Sequence, residues 1–278
     1  MTFGSPSGTL ALLMYCLISI VLRDWAAIFE EAQSYKRRIL EAGSAEGIAR
    51  PPVFNASKGF LLLVDWDASQ VIAHLELPKP TGFLIEDGKV RVALWDDDEI
   101  ASLSGREVAT RLRHPWFNHI HTLDRTSRGL LVTSSGTDLI AEIDENGQIL
   151  WEFFLFDHGY GGKRFRLGQT FDRSRSYNRR YLPAALSTHP NSALMGDEDT
   201  VLATLFSTGE LIRIDRRDGE VQVVLGGLQR PHSIRRRVGG GYMLCDTEGG
   251  RIVLLDQALQ LRGQIEVNAP WIQDAVFS

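Results

Sequence analysis

One pattern of apolar and polar positions recurs along this chain. Each copy has a glycine or turn, an apolar strand, a second short strand ending in Ile-Asp or a similar pair, and a third strand. The clearest copies cover 129–153, 200–227 and 241–267 and align through Gly136, Gly209 and Gly250, while shorter copies begin at Gly59 and Gly82. A repeat of about 40 residues is typical of β-propeller blades with four short strands. The pattern predicts an all-β propeller of about five blades, with six as the alternative.

A further short strand precedes each copy and is expected to line the central channel. Such strands begin near Asn118, Asn191 and His232, and a last one covers 273–277. No second strand follows this C-terminal segment, so it is predicted to complete the first blade and close the ring, which removes an exposed sheet edge. The segment 52–57 is the alternative source of the first blade's inner strand.

The N-terminal part differs from the repeats. Residues 1–22 contain no charged side chain, and 10–22 are almost wholly apolar. Twenty-two helical residues would just span the ~30 Å of hydrocarbon in a bilayer. A membrane anchor or signal-anchor and a helix docked on the domain both remain open, and 24–42 is predicted to form an amphipathic helix. The signal-anchor would imply a membrane-anchored, periplasmic or extracytoplasmic protein, whereas its absence would imply a cytoplasmic one.

We therefore divide the chain into an N-terminal segment at 1–45 and a propeller at 46–278 with a basic insertion at 156–181. The composition, 44% apolar and 23% charged, is that of a globular protein. A formal net charge of −5 gives no general attraction to nucleic acid. Two cysteines give no disulfide framework. Nothing in the sequence indicates the oligomeric state.

Histidines are concentrated on the predicted inner strands. Because those strands face one shared channel, polar side chains from different blades are expected to converge near its axis. The candidate catalytic residues are His121, His189 and His232, and the candidate substrate-binding residues on the same strands are Asn118, His119, Asn191 and Asp274. The structural alternative is that these side chains satisfy buried polar groups between neighbouring blades.

Imidazole groups also bind divalent metals. The candidate ligands are His119, His121, His189 and His232, although no short ligand spacing supports the set. A divalent metal is thus one option for a cofactor that the sequence leaves undetermined.

The insertion at 156–181 is rich in arginine and aromatic residues. Between 163 and 180 it holds seven basic residues and one acid, Asp172. Arginines beside aromatic rings suit anionic or planar ligands, so Arg164, Arg166 and Arg175 are predicted to help bind a small anionic molecule. A solvated or interface loop is the alternative, and nucleic acid is the weaker one because the basic footprint is small.

Two stretches resemble a known family. Residues 188–221, which include His189, Asn191 and the blade that follows, look like the His-x-Asn-Ser segment of the PAPS-independent arylsulfotransferases, and 144–153 resembles their Asp-x-x-Gly-x-x-x-Trp strand ends. The likeness extends over roughly 55–275. Members of that family are six-bladed periplasmic propellers that move a sulfuryl group between phenols through a histidine at the channel centre.

The resemblance implies that His189 and Asn191 are ligands on the oxyanion side, that His232 is the nucleophile, and that His121 or His119 matches the remaining central histidine. Phe206 stands where the family has a sulfate-neutralising arginine. The expected function is group transfer or hydrolysis on an anionic, aryl sulfate-like small molecule. A non-catalytic ligand- or protein-binding propeller, tethered to a membrane by residues 1–22, is the alternative.

Overall fold

The computed structural model describes residues 15–21, 34, 37–38, 40–43, 58–160, 171–179, 182, 187–197 and 199–275. Within these residues the chain forms nineteen β-strands and two short 3-10 turns, Ser135–Thr137 and Leu155–His158. The strands form five antiparallel sheets, and in each sheet the strands are adjacent in chain order. This arrangement confirms the predicted five-bladed β-propeller.

Each blade is a meander of successive strands. The first blade contains β1 (Tyr15–Val21), β2 (Lys58–Asp65) and β3 (Gln70–Pro78), and the second contains β4 (Pro80–Glu86), β5 (Lys89–Leu94), β6 (Glu99–Ser104) and β7 (Glu107–Arg113). The third contains β8 (Ile120–Arg125), β9 (Leu130–Ser134), β10 (Leu139–Ile143) and β11 (Ile149–Phe154). The fourth contains β12 (Pro190–Asp197), β13 (Thr200–Leu205), β14 (Glu210–Asp215) and β15 (Val221–Leu225). The fifth contains β16 (His232–Arg236), β17 (Tyr242–Asp246), β18 (Arg251–Leu255) and β19 (Leu261–Glu266).

From the first blade to the fifth, the first strand of each blade lies beside the first strand of the next. Side-chain bonds to backbone carbonyls join them: Ser19 Oγ donates to Pro80 O at 2.8 Å, and Thr81 Oγ1 donates to Ile120 O at 2.9 Å. The middle strands β9, β13 and β17 are fully buried, and apolar side chains of neighbouring blades pack together between the sheets. Burial of these continuous apolar strands is the main source of stability.

The apolar N-terminal run is not helical where the structure describes it. Residues Tyr15–Val21 form β1, which pairs along its whole length with β2 and supplies the first blade's inner strand. Half-buried Leu17 packs against the core of the first two blades. The run was expected to be a helix in a membrane or on the domain, so this expectation was wrong for 15–21. The domain boundary predicted at residue 45 therefore falls within the first blade, between β1 and β2.

The predicted amphipathic helix at 24–42 lies only partly within the described residues, and those of its positions that are described (34, 37–38 and 40–42) are helical. No helix in the described part of the chain is both long and apolar enough to cross a bilayer.

The predicted closure by the C-terminal strand also differs from the structure. Of the predicted strand at 273–277, residues 273–275 form no strand and 276–277 lie outside the described residues, while β1 occupies the inner position of the first blade. Asp274 bonds to Arg235 through its side chain, not through a strand ladder. The alternative inner strand, 52–57, lies outside the described residues.

The turn after the second strand of each blade has one residue with left-handed backbone geometry. These residues are Ser69, Asp98, Asp138, Gly209 and Gly250, with φ between 52° and 73°. Asp138, and not Gly136, is thus equivalent to Gly209, so the sequence alignment of the third blade was two residues out of register at this turn. Asp tolerates this geometry better than most residues with a Cβ.

Candidate functional site

The site lies at the end of the channel where the inner strands begin. The residue just before β4, β8 and β12, and the second residue before β16, share a left-handed backbone conformation. These are Lys79, His119, His189 and Arg230, with φ of 39°, 54°, 61° and 56°. Non-glycine residues adopt this conformation rarely, at a cost of about 1–2 kcal/mol each. The repeat thus places a cationic or imidazole side chain at the same strained position in four blades.

Hydrogen bonds from the preceding blade hold two of these positions. The His119 N–H donates to Asp98 Oδ1, and the His189 N–H donates to Asp138 Oδ1 at 3.0 Å. Asp98 and Asp138 are the left-handed turn residues described above, so one repeated turn supplies the acceptor in both blades. The two carboxylates offset part of the backbone strain and fix the histidines relative to the preceding blade.

Two of the predicted catalytic histidines are in direct contact. His121 Nε2 lies 3.1 Å from His189 Nε2. A hydrogen bond at this distance requires one Nε2 to carry the proton and the other to accept it. The two blades therefore share one proton between two imidazoles.

His232 is the third imidazole, and its ring lies 5.9 Å from that of His121. Its Nδ1 is 3.0 Å from the carbonyl oxygen of Arg230 and 2.8 Å from Thr247 Oγ1. Because a carbonyl oxygen can only accept, Nδ1 carries the proton, and in the neutral ring Nε2 keeps its lone pair. Burial lowers the pKa of His232 to about 4, against smaller opposing effects of the Arg230 carbonyl and Asp274. At neutral pH, His232 is an uncharged imidazole whose Nε2 carries a lone pair.

Three aromatic side chains surround the imidazoles. The ring of Trp95 is 4.2 Å from His121 edge-to-face and 5.0 Å from His119 in a stacked arrangement. Phe206 lies between the other two imidazoles, 4.9 Å from His189 and 5.4 Å from His232. Trp271, 40% exposed, lies 5.8 Å from His232. The four channel histidines are each only 4% exposed, so they are buried among mainly aromatic side chains.

Two cations lie beside these rings. The ammonium of buried Lys79 is 3.9 Å from the centroid of Trp95 and 3.9 Å from Asp96 Oδ1. The guanidinium of Arg230 lies 5.3 Å from the centroid of Phe206, and its side chain is half-exposed and paired with Glu248 at 2.7 Å. Phe206 replaces the arginine expected from the family resemblance, yet a guanidinium from the next blade covers its ring.

Most of the predicted substrate-binding residues form hydrogen bonds or ion pairs with other parts of the protein. Asn191 donates to Pro231 O at 2.9 Å and accepts from Thr204 Oγ1 at 2.7 Å, so its amide joins the fourth blade to the fifth. Asn118 donates to Tyr177 O at 2.8 Å. Asp274 is paired with Arg235. His119 contacts Trp95, as does His121. Strand alternation does not bring His189 and Asn191 to one face, because His189 precedes the strand in a left-handed conformation.

The basic insertion is only partly described, and Arg164 and Arg166 lie outside the described residues. Arg175 pairs with Asp172 at 3.0 Å. The described end of the insertion packs over the second and third blades, where the Tyr177 N–H donates to Pro115 O and the Arg179 N–H donates to Asp98. It therefore supports the same aspartate that holds His119.

No metal centre is evident. In the described part of the chain, no three His, Cys, Asp or Glu side chains are grouped so that they could hold a metal ion. The candidate ligands His119, His121, His189 and His232 lie close together, but their rings pack on Trp95 and Phe206.

Sequence reasoning did not single out Lys79, Trp95, Arg230 or Trp271. A signal was present for three of them. A cationic or imidazole residue followed by proline occurs at Lys79, His189 and Arg230. An aromatic residue directly after the second strand occurs at Trp66, Trp95 and Phe206. Both patterns recur from blade to blade, and both include residues at the mouth of the channel.

Comparisons with known proteins agree with the propeller architecture. No family model matches the sequence, and no curated protein sequence matches it. A streptogramin B lyase structure is similar, with a TM-score of 0.51 and 13% identity, covering 77% of this chain and 66% of the other. The WD40 β-propeller domain of Doa1 is also similar, with a TM-score of 0.52 and 14% identity, covering 76% of this chain and 63% of the other.

A protein of unknown function from Bacteroides caccae gives a TM-score of 0.53 and 13% identity, with coverages of 75% and 69%. The chain spans 56% of the length of the virginiamycin B lyase from Staphylococcus aureus. At these identities the similarity establishes the β-propeller fold alone.

Proposed function

We propose that the channel end around His232 binds a small aromatic anion and transfers or hydrolyses a group attached to it. The observation that supports this most is the state of His232. Its Nδ1 is hydrogen-bonded to Arg230 O and Thr247 Oγ1, so the neutral ring has Nε2 as its nucleophilic atom. The partial resemblance to arylsulfotransferases points to the same histidine.

Binding would use the aromatic and cationic side chains at the mouth. Phe206 and Trp271 flank His232 and offer ring faces to a planar ligand. Arg230 lies over Phe206 and is half-exposed, so its guanidinium can bind a sulfate, phosphate or carboxylate group. The preferred substrate is therefore an aryl ester whose acid part is charged.

The proposed reaction has two balanced steps. His232 Nε2 attacks the sulfur or equivalent central atom, and the bond to the aryl oxygen breaks as the phenolate leaves. A water or a second phenol then attacks the same central atom, the bond to Nε2 breaks and returns the electron pair to His232, and the proton of the attacking hydroxyl passes to the phenolate. Arg230, which lies over Phe206, stabilises the developing charge.

The test is release of 4-nitrophenol from 4-nitrophenyl sulfate, phosphate and acetate, with and without phenol as acceptor. We expect His232→Gln to lower kcat by about a hundredfold or more. The matched control is His74→Gln, because His74 is an exposed histidine on β3 away from the channel. Equal turnover by the two variants and the unmodified protein on every ester would contradict the proposal.

A second candidate is a ligand- or protein-binding propeller without turnover. It is favoured by Phe206, which fills the space between His189 and His232 where a cation would serve sulfuryl transfer. The fold neighbours include both a lyase and a WD40 domain and so favour neither candidate. If no ester is turned over but 4-nitrophenyl sulfate still binds, and His232→Gln abolishes that binding, the binding function replaces the catalytic one.

A further inference from the structure

The blades are packed together by apolar clusters at each junction from the first blade to the fifth. One buried cluster lies between the first and second blades, and similar clusters lie at the next three junctions. Among the described residues, no such cluster joins the fifth blade to the first. Inner strand β1 lies beside β4, but β16 does not pack along β1 as the other inner strands pack along their neighbours. The first blade therefore has one face packed on the second blade and another without a neighbouring blade.

Strand alternation identifies the side chains on that other face. Leu17 on β1 and Leu61 on β2 belong to the cluster shared with the second blade. Adjacent positions along a strand point to opposite faces, and residues paired across an antiparallel ladder share a face. The pairing of β1, β2 and β3 thus puts six apolar side chains on the other face: Cys16, Ile18, Phe60, Leu62, Val64 and Val71. We call this surface the open face.

The open face is less buried than the equivalent surfaces of the other blades. The second strands β9, β13 and β17 are buried at every position. In the second strand of the first blade, β2, only Gly59 and Leu61 are buried, and Phe60, Leu62 and Val64 on the open face are half-buried. The packing that covers these positions elsewhere is therefore absent from the described part of the first blade.

Val71 shows the same difference at a single position. It is the second residue after the left-handed turn residue Ser69, and it is 50% exposed. The residues at this position in the other four blades are at most 9% exposed: Ile100, Ile140, Leu211 and Ile252. A contiguous apolar surface of this kind is typical of an interaction site. The open face is thus a surface on which a further apolar element can dock.

The connection between β1 and β2 contains an element with a matching apolar surface. Val21 pairs with Gly59, so the chain leaves this sheet and returns to it at the same end after residues 22–57. A β-hairpin needs only about two to five residues at such a connection. The remaining length includes the predicted amphipathic helix at 24–42, whose apolar stripe consists of Trp25, Ile28, Phe29, Ala32, Tyr35 and Ile39.

The dimensions and the exposed polar positions of this segment fit the open face. A helix over 24–42 is about 28 Å long, and strands of seven to nine residues, as in the first blade, are about 23–30 Å long. The opposite face of the sheet is already covered by the second blade. Arg37 and Glu41, which are helical and exposed, lie on the side of a 3.6-residue helix away from the stripe.

From these observations we propose that the segment 24–42 docks its apolar stripe on the open face of the first blade, in the place that a neighbouring blade takes elsewhere. The covalent connection to β1 and β2 favours this segment over a second copy of the chain, because it keeps the segment at a high effective concentration beside the face. The inference does not depend on the proposed function, since it uses no side chain of the channel.

The reaction of Cys16 with a maleimide measures whether the open face is covered. Cys16 is a free, half-buried cysteine, whereas the other cysteine, Cys245, is buried and burial raises its pKa to about 12, so that it stays unreactive in the folded protein. We expect slow labelling of the unmodified protein, and labelling about tenfold faster when Phe29→Ser and Ile39→Ser are combined. The matched control combines Glu30→Ser with Arg37→Ser, which alters the polar side of the same segment and should leave the rate unchanged.

Tryptic cleavage at the basic residues 36–38 is a second measurement, because a docked helix must open before a protease can cut it. Ile18→Ser weakens the open face without changing the segment, and it should make cleavage at these residues about tenfold faster. Val238→Ser is the control, because Val238 is 80% exposed in the fifth blade. Thermal melts of all variants check that the propeller remains folded.

The inference fails if Cys16 of the unmodified protein reacts as fast as it does in urea, since the open face would then be uncovered. It also fails if labelling is slow but the stripe variant does not accelerate it, or if Ile18→Ser leaves the cleavage rate as it was. Slow labelling that becomes faster on dilution of the protein would instead identify a second copy of the chain as the cover. Slow labelling that is independent of dilution and of the stripe would identify another part of this chain.

Discussion

At the level of single residues, the proposed chemistry depends on the protonation state of one imidazole. His232 is buried, with aromatic rings around it, and this burial favours its neutral form, while the Nδ1 hydrogen bond to a backbone carbonyl opposes it more weakly. The sequence located this histidine correctly on an inner strand, because the repeat sets which strands face the channel. It gave no indication of the tautomer, which depends on the carbonyl of Arg230 two residues earlier.

The lowered pKa of His232 predicts an acid-sensitive stability. In the unfolded chain this imidazole gains a proton near pH 6.5, whereas the folded protein resists protonation until the pH is about 4. The unfolded state therefore binds more protons between these values, and the free energy of unfolding falls as the pH drops from 6.5 to 4. The contribution lost is about 3 kcal/mol.

Replacing His232 by Gln should remove that part of the pH dependence. Urea denaturation at several pH values from 7 to 4.5 would measure it, and the difference between the variant and the unmodified protein cancels the other titrating groups. Identical slopes for the two proteins would show that His232 titrates normally.

A second residue-scale prediction concerns the cation over Phe206. Because Arg230 is expected to bind the charged part of the substrate, Arg230→Gln should raise KM for 4-nitrophenyl sulfate about tenfold. It should leave KM for neutral 4-nitrophenyl acetate nearly unchanged. An equal rise for both esters would assign Arg230 a structural role.

At the level of secondary-structure elements, the turn after the second strand has a structural role that its sequence does not indicate. Asp98 and Asp138 take a left-handed conformation and accept the backbone N–H of a histidine in the next blade. The sequence alignment instead matched Gly136 with Gly209, because glycine is the usual residue at such positions. The error arose because an aspartate can replace glycine when its carboxylate gains a hydrogen bond.

This turn yields a prediction for the third blade. Asp138→Ala should lower the free energy of unfolding by about 2 kcal/mol, because the N–H of His189 loses a buried acceptor. Asp138→Asn keeps an oxygen acceptor and should cost less. Chemical denaturation of both variants measures the difference, and equal losses would mean that the hydrogen bond to His189 contributes little.

At the scale of the whole molecule, the N-terminal strand determines how the first blade is completed. The middle strands were predictable because glycine-bounded apolar segments recur with blade spacing. The run around β1 was not, because a continuous apolar segment has no periodicity that separates a buried strand from a helix. Only its pairing with β2 identifies it as the inner strand.

The assignment of β1 can be tested with two apolar positions. Leu17 packs against the core of the first two blades, whereas Ile20 on the same strand is exposed. Leu17→Ala should therefore destabilise the protein by about 2 kcal/mol, and Ile20→Ala by much less. If neither substitution moves the denaturation midpoint, β1 is not part of the folded propeller.

Imidazoles from three blades converge in this structure, and ring-nitrogen NMR of histidine-labelled protein can detect that convergence. His189→Gln should shift the ring signals of His121, with which it shares a proton, and more weakly those of His232 across Phe206. The signals of exposed His74 should stay in place, and His232 should appear as the Nδ1–H tautomer. Unchanged His121 and His232 signals in that variant would mean that the three histidines do not form one site.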